Sequence, residues 1–237
     1  DGGATWGERR RITPEAGYYT GANDRALRLT SGRILLPCHV RVNLRNGDMS
    51  PVMVWSDDAG GTWTTGAPLA HVPQPGEAQQ PLKISEPTVA ERADGSLLIL
   101  CRSTMGTLFT ATSTDGGEHW TTLTPSAIAS KTAPPYLKRL GDGRLILLRN
   151  PPTPEEIARN RYVPDVRTTL QLLISRDDGA AWSAPLTLAH DGVNGYCYPA
   201  VLELPRSREL LVFCSKTPET ISGAAYVLLR LPVPGEP

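Results

Sequence analysis

Long apolar runs are missing from this chain of 237 residues. A membrane-crossing helix needs ~20 consecutive apolar residues, so no span is expected. Neither sign of charge prevails, with 24 Lys and Arg against 24 Asp and Glu. Without a basic stripe, or aromatics interleaved with basic residues, nothing points to nucleic acid. Histidine is scarce: His39, His71, His119 and His190 lack metal-ligand spacing such as H-E-x-x-H. No metal or cofactor is therefore expected. Cysteine is also sparse, at four. No signal peptide heads the chain, and no initiator Met does. Gly and Pro, by contrast, are plentiful at 22 each, as many turns and few helices would require.

One short pattern recurs. Ser56–Trp63 (SDDAGGTW), Ser113–Trp120 (STDGGEHW) and Ser175–Trp182 (SRDDGAAW) all read S-x-D-x-G-x-x-W. Asp1, Gly3 and Trp6 fill the last places of a fourth copy at the start of the chain. Successive Trp are 57, 57 and 62 residues apart, the period of a modular array. Each complete box follows a strand-like run and reads as a hairpin turn. The Asp accepts backbone N–H groups, the Gly supplies a positive φ, and the Trp folds back as an apolar plug. Trp63, Trp120 and Trp182 are expected to be mostly buried. A box of this kind needs no substrate, so its Asp and Trp are structural.

A second element lies between the boxes: an apolar strand, a tight turn and a very apolar strand. Its copies begin at Asn23, Glu86, Pro134 and Tyr198. Strand, turn, strand and a further strand ending in a box make a four-stranded antiparallel blade. Blades around an axis make a β-propeller. The expected fold is all-β, a partial propeller of about four blades in one domain, 1–237. The start inside a box suggests a piece that lost its N-terminal blade. Pro154–Asn160 reads as a short helix or loop insertion. Cys38, Cys101 and Cys214 occupy matching places in different repeats, where a ring holds them apart, so buried free thiols are expected. Asn23, Glu86, Pro134 and Tyr198 begin inner strands, which open toward a central funnel. Glu86 and Tyr198 could therefore meet near the axis.

The boxes resemble the Asp box, or BNR repeat, of the sialidase (neuraminidase) superfamily. The resemblance implies a six-bladed propeller. Further residues carry it. Glu86, Val89, Glu91, Asp94 and Gly95 match E-x-x-V-x-E-x-x-D-G, with Arg102 after the next strand. Arg167, Leu170 and Ser175 match R-x-x-L-x-x-x-x-S. Tyr198, in GYCYPAVLEL, opens the strand after that box, with Tyr196 as its neighbouring competitor. By resemblance, Tyr198 is the nucleophile, Glu86 its base, and Arg102 and Arg167 bind a substrate carboxylate. The family's acid/base Asp and first arginine lie upstream of the first box, and Asn23 and Asp24 do not match them. Arg139 and Arg144, beside a turn, read as solvated.

The chemistry is coherent. Sialic acid carries a carboxylate at its anomeric carbon, which would repel a carboxylate nucleophile; a neutral Tyr avoids this. A phenol with pKa ~10 needs a base to accept its proton. Arginine's planar fork suits two carboxylate oxygens. The implied activity is that of a retaining exo-α-sialidase acting on sialylated or other acidic glycans, outside the cytoplasm. A related hydrolase of another acidic sugar and a non-catalytic glycan-binding propeller are the alternatives.

Overall fold

A computed structural model of the chain describes residues 1–13, 17–43, 48–75, 82–154, 167–217 and 225–235. Four antiparallel sheets follow one another in sequence. The first contains β1 (Tyr19–Gly21), β2 (Leu27–Arg28), β3 (Ile34–Asn43), β4 (Asp48–Ser56) and β5 (Thr64–Thr65). Here β1 and β2 both pair with β3, as two pieces of one interrupted inner strand. The second runs β6 (Ile84–Glu91), β7 (Leu97–Ser103), β8 (Thr107–Ser113) and β9 (Thr124–Ala129). The third runs β10 (Tyr136–Arg139), β11 (Leu145–Arg149), β12 (Thr169–Ser175) and β13 (Leu186–His190). The fourth has β14 (Gly195–Leu204), β15 (Glu209–Thr217) and β16 (Ala225–Pro232). This is the all-β, four-blade arrangement that the repeats imply. The proposed insertion at Pro154–Asn160 lies outside the described residues beyond Pro154.

The apolar runs explain the stacking. Successive residues of a strand face opposite sides of its sheet. In β7, Leu97, Ile99 and Cys101 join Leu35, Met53 and Trp55 of the first sheet. The alternate residues, Leu98 and Leu100, join Leu145, Leu147 and Leu173 of the third. In β11, Ile146 and Leu148 turn the other way, toward Val201, Leu210 and Val212 of the fourth. Middle strands are thus apolar on both faces because each is sandwiched between sheets. The cysteines follow the same logic: all four are buried and free.

Each box closes through one repeated network. The Ser hydroxyl donates to the Asp, with Ser56–Asp58 at 2.8 Å, Ser113–Asp115 at 2.8 Å and Ser175–Asp177 at 2.7 Å. The same hydroxyl accepts the N–H of Gly60, Gly117 or Gly179. The Asp accepts the N–H four residues on, from Thr62, His119 or Ala181. Asp1 likewise accepts from Thr5 at 3.0 Å. The tryptophans correct the expectation of burial: Trp63, Trp120 and Trp182 are half-buried, and Trp6 is exposed. For Trp63 and Trp120 the indole N–H donates to the carbonyl of Gly60 or Gly117 in the same box. Each half-buried ring packs on the apolar cluster nearest its own box, at the rim of the sheet.

Polar ties cross between sheets at the turns. Arg33 bonds Asp57 of its own sheet and also Gly116 and Glu118 of the next box. Arg92 donates to the Asp178 carbonyl. Arg139 bonds the Glu91 carbonyl and Asp178, and Arg144 reaches the Pro234 carbonyl. Arg139 and Arg144 are therefore ties between sheets rather than solvated side chains.

Candidate functional site

Glu86 and Tyr198 do not begin their strands, as the repeat alignment suggested. They sit inside β6 and β14, at breaks in the ladder. Pairing of β6 with β7 shifts between Ser85 and Thr88, and pairing of β14 with β15 shifts between Cys197 and Ala200. At these bulges Glu86 takes φ 47° and Tyr198 φ 54°. Left-handed backbone costs a residue with a Cβ about 1–3 kcal/mol. Pro87 and Pro199 follow directly, so both strained positions also lack a downstream N–H to return to the ladder. A bulge re-aims a side chain that the pleat would otherwise fix. Asn23, at the same repeat position in the first sheet, has φ 45°. The fourth position holds Pro134, whose ring fixes φ near −65°.

The bulges bring distant residues together. The Tyr198 hydroxyl donates to Glu86 Oε1 at 2.9 Å across 112 residues of sequence. Arg102 Nη1 donates to Glu86 Oε2 at 2.6 Å. Glu86 is buried, so its two oxygens are held by a phenol on one side and a guanidinium on the other. Asn23 Nδ2 donates to the Tyr198 carbonyl at 3.1 Å and braces its bulge. The Arg167 guanidinium lies 5.8 Å from the centre of the Tyr198 ring. A cleft of about 460 Å³ opens beside this group, lined among others by His39, Lys83, Glu86, Arg102, Thr132 and Tyr198. Arg167 is not on that lining, but its Nη2 donates to the carbonyl of Thr132, which is.

Burial raises the Tyr198 phenol above its usual pKa, and the Glu86 carboxylate adds to the rise, while Arg102 and Arg167 oppose it. At rest the tyrosine is neutral, with its proton aimed at Glu86. Tyr196, the competing candidate, points elsewhere. Its hydroxyl donates to Asp191 at 2.7 Å, and Lys216 lies 5.6 Å from its ring. Asp24 also faces away from the cleft, accepting from Arg25 and from the Tyr136 hydroxyl.

Three residues of the site escaped the sequence reading. His39 is buried, and its Nδ1 accepts the strained Glu86 N–H at 3.3 Å. Burial lowers its pKa, with Glu86 opposing and Arg102 reinforcing the fall. Thr132 touches both arginines. Asn150 is buried and donates to the carbonyls of Thr169 at 2.7 Å and Tyr196 at 2.6 Å. A signal existed for two of them. His39, Arg102 and Asn150 each stand sixteen residues after Asn23, Glu86 and Pro134, and so share one column of the repeat. No metal-binding group of three or more His, Cys, Asp or Glu occurs among the described residues.

Four successive antiparallel sheets, three of them closed by an Asp box, define a β-propeller. The chain belongs to the BNR repeat-like domain family, whose pattern matches residues 1–208. Its fold is similar to that of the intramolecular trans-sialidase from Ruminococcus gnavus, at TM-score 0.73 and 19% identity over 98% of this chain and 49% of that one. The leech intramolecular trans-sialidase gives TM-score 0.70 and 18% identity, covering 98% of this chain and 35% of that one. The NanB sialidase from Streptococcus pneumoniae gives 0.59 and 21%, covering 82% and 27%. The chain thus spans about half, or less, of the length of these solved structures. Comparison with curated protein sequences yields no match.

Proposed function

We propose that this chain carries the nucleophile and carboxylate-binding half of a retaining exo-α-sialidase site. The observation that supports it is the Tyr198–Glu86–Arg102 array, assembled at two strained bulges from residues 112 apart. Tyr198 Oη attacks the anomeric carbon, Glu86 accepts the phenolic proton, and the leaving oxygen takes its proton from an acid. Water then attacks the anomeric carbon and gives its proton to the base left by that acid, while the proton held by Glu86 returns to Tyr198 as the tyrosyl–sugar bond breaks. Arg102 and Arg167 bind the sugar carboxylate. The Ruminococcus gnavus protein is described in complex with oseltamivir carboxylate and the leech protein with 2,7-anhydro-Neu5Ac, which supports an acidic sugar as ligand here. Parent proteins of this kind would meet such glycans outside the cytoplasm.

Among the described residues, Asp24 is engaged by Arg25 and Tyr136 and does not line the cleft. The test therefore uses an aryl α-sialoside whose leaving group needs no protonation. The chain should release the phenol, and mass spectrometry should trap the sugar on the Tyr198 peptide. Tyr198→Phe should cut release by about a hundredfold or more, as loss of a covalent catalyst does. Equal rates for the two proteins would defeat the nucleophile assignment. Saturable binding with no turnover would favour the glycan-binding alternative.

A further inference from the structure

The two arginines do not touch each other through any described bond, yet one residue holds both. The Thr132 hydroxyl accepts Arg102 Nε at 2.9 Å, and the Thr132 carbonyl accepts Arg167 Nη2 at 2.8 Å. Arg102 comes from β7 of the second sheet, Arg167 from the approach to β12 of the third. Thr132 lies between β9 and β10, on the segment that passes from one sheet to the other. It is buried, yet it lines the cleft. Its segment is itself pinned: Lys131 N–H donates to the Asn150 carbonyl at 2.8 Å, and Ser130 Oγ to the same carbonyl at 3.3 Å.

We propose that Thr132 is a positioning residue that joins Arg102 and Arg167 into one preformed clamp for a carboxylate. The inference rests on the carboxylate-binding reading of the cleft and deepens it. Two free guanidinium groups would lose side-chain freedom, and repel each other, each time an anion bound. Anchoring them beforehand moves that cost into folding. The division of labour is specific. Arg102 uses Nε for Thr132 and Nη1 for Glu86, so its plane is fixed at two points. Arg167 is fixed by Nη2 while its face meets the Tyr198 ring. Only the hydroxyl is a side-chain contribution, because the carbonyl survives any substitution. Removing it should loosen Arg102 at this one anchor and leave Arg167 held.

The probes are N-acetylneuraminic acid and its methyl ester, read by titration calorimetry. Thr132→Val should weaken binding of the acid roughly tenfold, the loss of one well-placed charged hydrogen bond, and leave the ester unchanged. Thr132→Ser should restore the acid. Equal weakening of acid and ester, or no weakening of the acid, would overturn the inference. A ligand-free measurement stands beside these. In the unsubstituted protein the Arg102 Nε–H should exchange slowly by NMR, and an Arg102 Nε–H that exchanges as fast as exposed arginines would also overturn it. If the unsubstituted protein binds neither probe but Arg102 Nε–H is protected, the sialic acid reading fails while the Thr132 anchor stands.

Discussion

At the residue scale, Glu86 is where competing demands meet. Its backbone is strained, its carboxylate is buried, and both oxygens are bonded. A buried carboxylate is tolerated only when paired. Arg102 supplies that pairing, while Tyr198 supplies a proton directed at the remaining oxygen. Glu86→Gln should lower the Tyr198 pKa relative to the unsubstituted protein. The sign follows from the carboxylate, which raises the phenol's pKa, and from Arg102, which would lower it without a counter-charge. Ultraviolet titration of phenolate, with Tyr198→Phe as reference, checks this; a higher pKa in the Gln variant would contradict it. Tyr198→Phe itself should keep the fold at a cost of about 0.5–1.5 kcal/mol, the net worth of one hydrogen bond. Denaturant unfolding measures that loss.

At the element scale, the Asp box is a turn shaped by its neighbour as much as by itself. Gly179 has φ 89°, and a Cβ there would lie 2.5 Å from Leu98 of the preceding sheet. Gly95 has φ 82° with nothing within 4 Å. The pair separates backbone strain from packing. Gly95→Ala should cost about 1–2 kcal/mol, the left-handed penalty alone. Gly179→Ala should cost that plus roughly 1–3 kcal/mol for displacing Leu98. Chemical denaturation of both variants tests the difference, and equal losses would show that the box glycine serves the turn only. Carboxylates make the same contact from the other side. Glu91 of β6 accepts the Thr30 N–H of the first sheet, and Glu203 of β14 accepts the Gly141 N–H of the third. These two glutamates occupy one column of the repeat, and each caps the turn of the sheet before it.

At the scale of the molecule, the boxes make stability depend on pH. Asp58 is drawn down to about 2 by the Thr62 N–H, the Thr62 hydroxyl and Ser56. Burial pushes Asp115 up, but the His119 N–H, the His119 ring and Ser113 outweigh it and leave it at about 2. Folded values below the unfolded value of ~3.9 give stability that is present above that pH and lost as pH falls through about 2. The Tm should therefore drop between about pH 4 and about 2, and Asp115→Asn should flatten that drop; calorimetry at several pH values decides it. A second property is the face of the fourth sheet turned away from the third, which borders a cavity lined also by residues of the other three sheets. Leu202, Phe213, Tyr226 and Leu228 are exposed there, while Leu210 and Val212 on the opposite face are fully buried. Such a patch promotes association. Leu228→Glu should raise solubility by light scattering and leave stability within about 0.5 kcal/mol. Leu210→Ala should cost about 2–5 kcal/mol.

The sequence alone determined the array. Box spacing and the two-sided apolar runs in β7 and β11 specify sheets stacked face to face, because local turn chemistry and strand alternation are written in neighbouring residues. Repeat equivalence also placed Glu86 opposite Tyr198 before any coordinates. Arg102 was named through the family resemblance, and His39 and Asn150 in the same column of the repeat were passed over, since neither residue type signals a role by itself. Thr132 was invisible: half of its contribution is a backbone carbonyl, which every residue has. The half-burial of the tryptophans and the left-handed bulges at Glu86 and Tyr198 were likewise beyond reach. A positive φ at a residue other than glycine runs against local preference. Only contacts from other sheets, such as His39 to the Glu86 N–H and Asn23 to the Tyr198 carbonyl, make that conformation the stable one.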